Sequence, residues 1–181
     1  VPDSWLEEID EFRSAREEIV RSLVSSLRSK AQGKLYRGLI YYPPDPRFKV
    51  KGSFDHYATP IRTELETSKG GSEQWLLIGR INFSLNGKDI TLNAYRSEST
   101  TGKSVFVPFK DSTSGVKTSE TGRYLKIETG EGGRVILDFN YSCNPDCVYN
   151  PTLSSPIPPP ENSIPVAIEA GEIGPDFAPD E

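Results

Sequence analysis

The residues best suited to chemistry are concentrated in LDFNYSCNPDCVYNPTLSSPIPPPEN, from Leu137 to Asn162, which holds four asparagines, two cysteines, six prolines and two tyrosines. Asp138 and Glu161 are carboxylates of the kind that act as general acid or base once burial or a neighbour shifts them toward neutral pH. Cys147 is a candidate nucleophile, with His56, the only histidine of the chain, as the base that would activate it. Cys143 and Cys147 are separated by Asn-Pro-Asp. Packed thiols are the first reading of this pair; a disulfide across so short a loop is geometrically demanding, and zinc would need about four ligands. No metal site is assigned.

Two further runs place charge and amide chemistry near expected strand ends: Lys110 and Asp111 in PFKD, and Arg123 and Tyr124 in GRY. With Asp138, Asn140, Tyr149, Asn150, Glu161 and Asn162 they make up the candidate ligand-binding set, which loops at strand ends would have to bring together. STTGKS (Ser99 to Ser104) has part of a phosphate-loop pattern, but Ser97 stands where the earlier glycine belongs and the strand-like VFVPF follows in place of a helix. It is read as a turn. Asn82-Phe83-Ser84 and Asn140-Tyr141-Ser142 match the glycosylation pattern, which is short enough to arise by chance.

These residues need a scaffold, and the spacing of apolar residues indicates which. Trp5, Ile9, Phe12, Ile19 and Leu23 recur at helical spacing in the first 33 residues, with Ser4 and Glu7 in capping-box register and Gly33 as a stop. The pattern predicts an amphipathic helix lying on the domain. From Leu35 the texture changes to short alternating runs broken by Gly, Pro, Asn and Ser. YYPPDPRFKV predicts a rigid turn between two strands, and RINFSLNGKDITLNAY a hairpin whose Asn86-Gly87 turn pairs Leu85 with Lys88. That register matches Phe83 with Ile90, Ile81 with Leu92 and Ile78 with Tyr95 on one face, and Asn82 with Thr91 and Arg80 with Asn93 on the other.

TPIRTELE, KSVFVPF, GRYLKIE, GRVILDF and SIPVAIEA complete about nine short strands. In GRVILDFN, alternation sets Val135, Leu137 and Phe139 on one face and Asp138 and Asn140 on the other. The expected fold is mainly β: an antiparallel barrel or strongly curled sheet with one N-terminal α-helix, because closure hides many edges. The expected organisation is a helix over 1–33, a single β-rich domain over 34–172, and an acidic, proline-rich flexible tail over 173–181.

A net charge of -5 with interspersed signs offers no basic field for phosphates, so nucleic acid is not an expected partner. No apolar run approaches the roughly 20 residues that cross a bilayer. Two local cysteines fit a reducing cytoplasm as the default location, while the start at Val1 leaves room for a removed leader.

GLIYYPPDPRFKV, VFVPFKDSTSG, GRYLKIE, VILDFN, NPDCVYN and PIPPPENSIPVAIEAGE occur in that order, and together they resemble the bacterial and archaeal domain-of-unknown-function 1684 family over about Leu35 to Glu172. The resemblance implies no activity, substrate or cofactor. Asp138, Asn140, Cys147, Tyr149, Asn150, Glu161 and Asn162 match the family pattern. Cys143 stands where the family usually has tyrosine, and Ser155 where it has a second cysteine, which weakens any site that needs both family cysteines.

The leading expectation is a small-ligand-binding or interaction barrel with its pocket under the stiff loop 140–162. The alternatives are a hydrolase using Asp138, Glu161 or Cys147, and a purely structural block in which Arg123 pairs with Asp138. A flavin-binding barrel stands on fold analogy alone, so the cofactor is unassigned.

Overall fold

Helix α1 (Asp3–Ser25) precedes eight strands in this computed structural model, which describes residues 3–26 and 35–177. They are β1 (Tyr36–Tyr41), β2 (Lys49–Glu66), β3 (Ser72–Leu85), β4 (Lys88–Arg96), β5 (Ser104–Phe109), β6 (Arg123–Glu128), β7 (Arg134–Asp138) and β8 (Glu172–Phe177). Six of them form one antiparallel sheet in the order β6-β5-β4-β3-β2-β7, and β1 pairs with β8 in a separate antiparallel ribbon. The end strands β6 and β7 touch without sharing a ladder, so the sheet curls into a nearly closed barrel. The expected mainly-β curled sheet with one helix is what forms.

Alternation explains the interior. Phe54, Ile81, Phe83, Leu92, Val107, Leu125, Val135 and Leu137 all point inward and pack as one core, closed at one end by Phe48, Phe109 and Phe139. The Asn86-Gly87 turn has positive φ at both residues (49° and 73°), as a two-residue hairpin requires. The predicted pairing holds from Leu85↔Lys88 to Arg80↔Asn93.

It fails at Ile78. A bulge pairs Leu77 with Tyr95 and Gly79 with Ala94, leaving Ile78 unpaired in the core. The bulge changes which parity faces inward: Leu76 and Ile78 join the core before it, Ile81 and Phe83 after it. Trp75 and Leu77 therefore turn outward and, with Leu65, Tyr95, Phe106 and Tyr124, build a second apolar cluster on the outer face. Gly79 allows the bend, since a Cβ there would lie 2.3 Å from the Asp55 carbonyl oxygen.

Several boundaries differ from the sequence expectation. TPIRTELE is the far half of the long β2 and not a separate strand. SIPVAIEA forms no strand, because its backbone binds side chains: the Ile168 N–H donates to Asp111 (2.6 Å) and the Ile168 and Ala170 carbonyls accept from Arg123. Residues 173–177, expected in a flexible tail, belong to β8, whose backbone is satisfied by β1. Asp138 and Asn140 do not lie on a solvated face. A 3-10 turn at Phe139–Tyr141 ends the alternation and both are buried.

Helix α1 already includes Ser4 in its first turn and ends at Ser25; the predicted stop at Gly33 lies outside the described residues. Its buried stripe is Trp5, Ile9, Val20 and Val24, with Ile19 exposed. The stripe supplies about 1.5–3 kcal/mol per large side chain. Val20 and Val24 pack with Tyr36 and Tyr149, which docks the helix on the β1–β8 ribbon.

Candidate functional site

Arg16 lies at the centre of the contact between helix, ribbon and loop. Its Nε donates to Glu172 Oε2 (3.2 Å), Nη1 to Asp146 Oδ1 (3.2 Å) and Nη2 to the Asn144 carbonyl (2.9 Å). Glu172, the first residue of β8, is fully buried. It also accepts from the Tyr149 hydroxyl and from the Asn144 N–H (3.2 Å). Asn144 Nδ2 donates in turn to the Tyr149 hydroxyl (3.1 Å) and to the Ile173 carbonyl (3.1 Å). Burial works against the Arg16 charge, but Glu172, Cys143 and Asp146 hold it above its ordinary value.

Gly171 sets this geometry. Its φ is +78°, and a Cβ would lie 2.7 Å from the Phe139 carbonyl oxygen and 2.8 Å from that of Ser142. Only glycine lets the chain pass there and turn Glu172 inward.

Beside this network a cavity of about 990 Å³ lies between the helix and the outer face of the sheet. The helix contributes Phe12, Ala15, Arg16 and Ile19, and the sheet contributes Trp75, Phe106, Tyr124 and Lys126. Cys143 to Asp146 and Leu153 to Pro156 supply the loop wall, while Arg96, Ser97, Thr100 and Ser104 form a polar end. The aromatic wall is ordered: Trp75 stacks on Phe106 (4.6 Å, 22°), Tyr124 meets Phe106 edge-on (4.7 Å, 72°) and Phe12 meets Tyr141 edge-on (5.0 Å, 74°).

Cys143 opens onto this cavity. Burial, and then the neighbouring Glu172, push its thiol well above the ordinary range, so it stays protonated at neutral pH and is a poor nucleophile. Both cysteines are free thiols. The Cys147 N–H donates to Ser155 Oγ (3.2 Å). Among the described residues, no three His, Cys, Asp or Glu side chains converge as metal ligands would.

The residues singled out in the sequence fall into separate groups. Arg123, fully buried, pairs with Asp111 (3.6 Å) and not with Asp138; burial lowers its pKa, and Asp111 opposes that shift. Asp138 accepts instead from Trp5 Nε1 (2.7 Å) and Asn140 Nδ2 (2.8 Å), with Lys49 at 3.9 Å. Asn150 reaches the helix end through Ser26 Oγ (3.0 Å), and Tyr149 joins Glu172. Asn162 bridges β4 and β5 by donating to the Asn93 (2.9 Å) and Pro108 (2.7 Å) carbonyls. Lys110 is half-buried in a bridge to Ser163, and Glu161 is exposed.

Of the ten candidate ligand residues, Tyr124 alone lines the cavity, its hydroxyl bound to the Pro156 carbonyl. Sequence reading missed Arg16, Glu172 and the aromatic wall. The legible signals were a buried-type helix position occupied by arginine and an acid directly after Ala-Gly.

The fold and cavity define a small antiparallel β-barrel with a helix and a β-ribbon clamped outside it. Residues 34–173 match the family described as "Protein of unknown function (DUF1684)", and the chain belongs to that family. It is similar to an uncharacterised protein of Haloarcula marismortui whose structure was solved by solution NMR, with 29% identity, 94% of each chain covered and a TM-score of 0.72. Comparison with curated proteins returned no match.

Proposed function

We propose that the protein binds a small organic molecule in the cavity between α1, the outer face of β3, β5 and β6, and the loop wall from Cys143 to Pro156. The observation that carries this reading is the space itself: about 990 Å³ walled by Trp75, Phe106, Tyr124, Phe12 and Tyr141, with polar groups at its ends. Small-molecule sites span roughly 300–1,000 Å³ and combine apolar walls with a few placed polar groups. The asparagine- and proline-rich stretch then serves as scaffold. Asn140, Asn150 and Asn162 have their amides engaged by neighbouring groups, which favours a structural role for the motif block as a second reading.

N-phenylnaphthylamine, a neutral dye that brightens in apolar sites, tests the proposal. Saturable binding at one site is expected, and Ala15→Trp should abolish it. Ala15 is exposed on the helix and faces the cavity, so the larger ring fills the space without disturbing the core. Binding that persists in Ala15→Trp, or no saturable binding at all, refutes the reading.

A further inference from the structure

Charged side chains of both signs line the cavity. Arg16 already donates to Glu172, Asp146 and the Asn144 carbonyl, so its charge is compensated within the protein. Asp146, the single carboxylate among the lining residues, is held there by the same guanidinium. Arg96, from the close of β4, and Lys126, from the outer face of β6, also line the cavity. Among the described residues neither makes an ion pair, and Arg96 has one long hydrogen bond, from Nη1 to the Gly102 carbonyl (3.4 Å). Lys126 is exposed on the outer face of β6 and is one of the residues that line the cavity.

The hydroxyl residues Ser97, Thr100 and Ser104 also line the space. They belong to the turn around STTGKS, whose composition suits anion contact even though its order is not that of a phosphate loop. In a chain of net charge -5, two cations that make no ion pair among the described residues thus line the same space as three hydroxyl residues and an aromatic wall. The Trp75–Phe106 stack lies along the same cavity, where a planar ring can pack against its exposed parts.

From this juxtaposition we infer that the cavity takes an organic anion: a planar apolar body against Trp75, Phe106 and Tyr124, with a single carboxylate, sulfonate or phosphate group between Arg96 and Lys126. Asp146, the one carboxylate among the lining residues, disfavours a second anionic group, so the ligand carries a single one. The inference rests on the cavity being a binding site and adds the class of ligand.

The test compares two dyes with the same ring system, anilinonaphthalene sulfonate and the neutral N-phenylnaphthylamine, on the full chain and on Arg96→Gln, Lys126→Gln and the double variant. The expected result is that the double variant weakens sulfonate binding about tenfold while binding of the neutral dye is unchanged, since each partly exposed charge contact contributes modestly. Raising the salt concentration should weaken the sulfonate dye alone. Neutral-dye binding that is blocked by Ala15→Trp, together with sulfonate affinity indifferent to both cations, overturns the anion inference and leaves the cavity reading standing. Sulfonate binding that survives Ala15→Trp places the dye elsewhere and also overturns it. Failure of both dyes to bind saturably removes both readings.

Discussion

Replacing Glu172 with glutamine keeps the shape of the side chain and removes its charge, which isolates what the carboxylate does for the fold. In the native protein it faces Arg16 at 3.2 Å, is fully buried, and accepts from Tyr149 and Asn144. Removing one member of a buried pair costs about 3–5 kcal/mol, because the other charge is left without compensation. Arg16 keeps Asp146 and the Asn144 carbonyl, so the lower end, about 3 kcal/mol, is expected. In a chain of this size that is a fall of about 6–12 °C in Tm. Urea unfolding of parent and Glu172→Gln measures it, and Arg16→Met, Glu172→Leu and the double Arg16→Met/Glu172→Leu close a cycle on the pair, provided all five proteins share one slope. The double variant should recover at least half of the summed single losses, since an apolar pair of similar volume is often as stable as the ion pair it replaces. A Glu172→Gln loss below about 0.5 kcal/mol, or single losses that simply add in the double, would refute the claim that this pair clamps helix to ribbon.

Trp5→Phe keeps the ring in its buried site but removes the 2.7 Å donor to Asp138, so a loss of about 1.5–3 kcal/mol is expected in the same assay. An unchanged midpoint would mean the indole N–H contributes nothing net. Gly171→Ala forces a Cβ against two carbonyl oxygens at positive φ and should cost at least about 2 kcal/mol, with Gly174→Ala, which meets no atom within 4 Å, as the mild control. Comparable losses at the two positions would contradict the close approach. The pH dependence follows from Cys143 and Tyr149, whose pKa values are both raised, by burial first and Glu172 second. Their unfolded counterparts ionise at roughly 8.5 and 10, so the folded state retains protons that the unfolded state releases. Their contribution is fully present below pH 8 and is lost as pH rises above about 9, by up to about 1.4 kcal/mol per pH unit for each group. Cys143→Ser should flatten the earliest part of that fall; a urea midpoint constant to about pH 11 would contradict the assignment.

The elements that were legible are those whose signal is local. Asn86-Gly87 needs positive φ at both turn residues, and the alternation around it determines which side chains meet as far as Arg80 and Asn93. The helix was legible from its spacing, although Ile19 entered the expected stripe and Val20 did not, because packing against Tyr36 and Tyr149 selects the face. The same period of two set Val135 and Leu137 on one face, and the fold makes that face the inner one. The site was less legible. Asp111, Arg123, Asp138, Asn140, Asn150 and Asn162 stand out in the sequence because they are polar and set among prolines, yet their partners are backbone groups and side chains that hold the barrel end and loops together.

By itself, then, the sequence determined a curled antiparallel sheet with a leading helix, since hydrophobic period and turn chemistry act over a few residues and need no knowledge of distant partners. Only the tertiary structure decided where the cavity lies. The bulge at Ile78 turns Trp75 outward, the ribbon brings Glu172 to Arg16 across 156 positions of sequence, and the loop closes over Phe106 and Tyr124. Each of these depends on which surfaces meet after the chain has closed, and a bulge of one residue is enough to move an entire face from core to cavity.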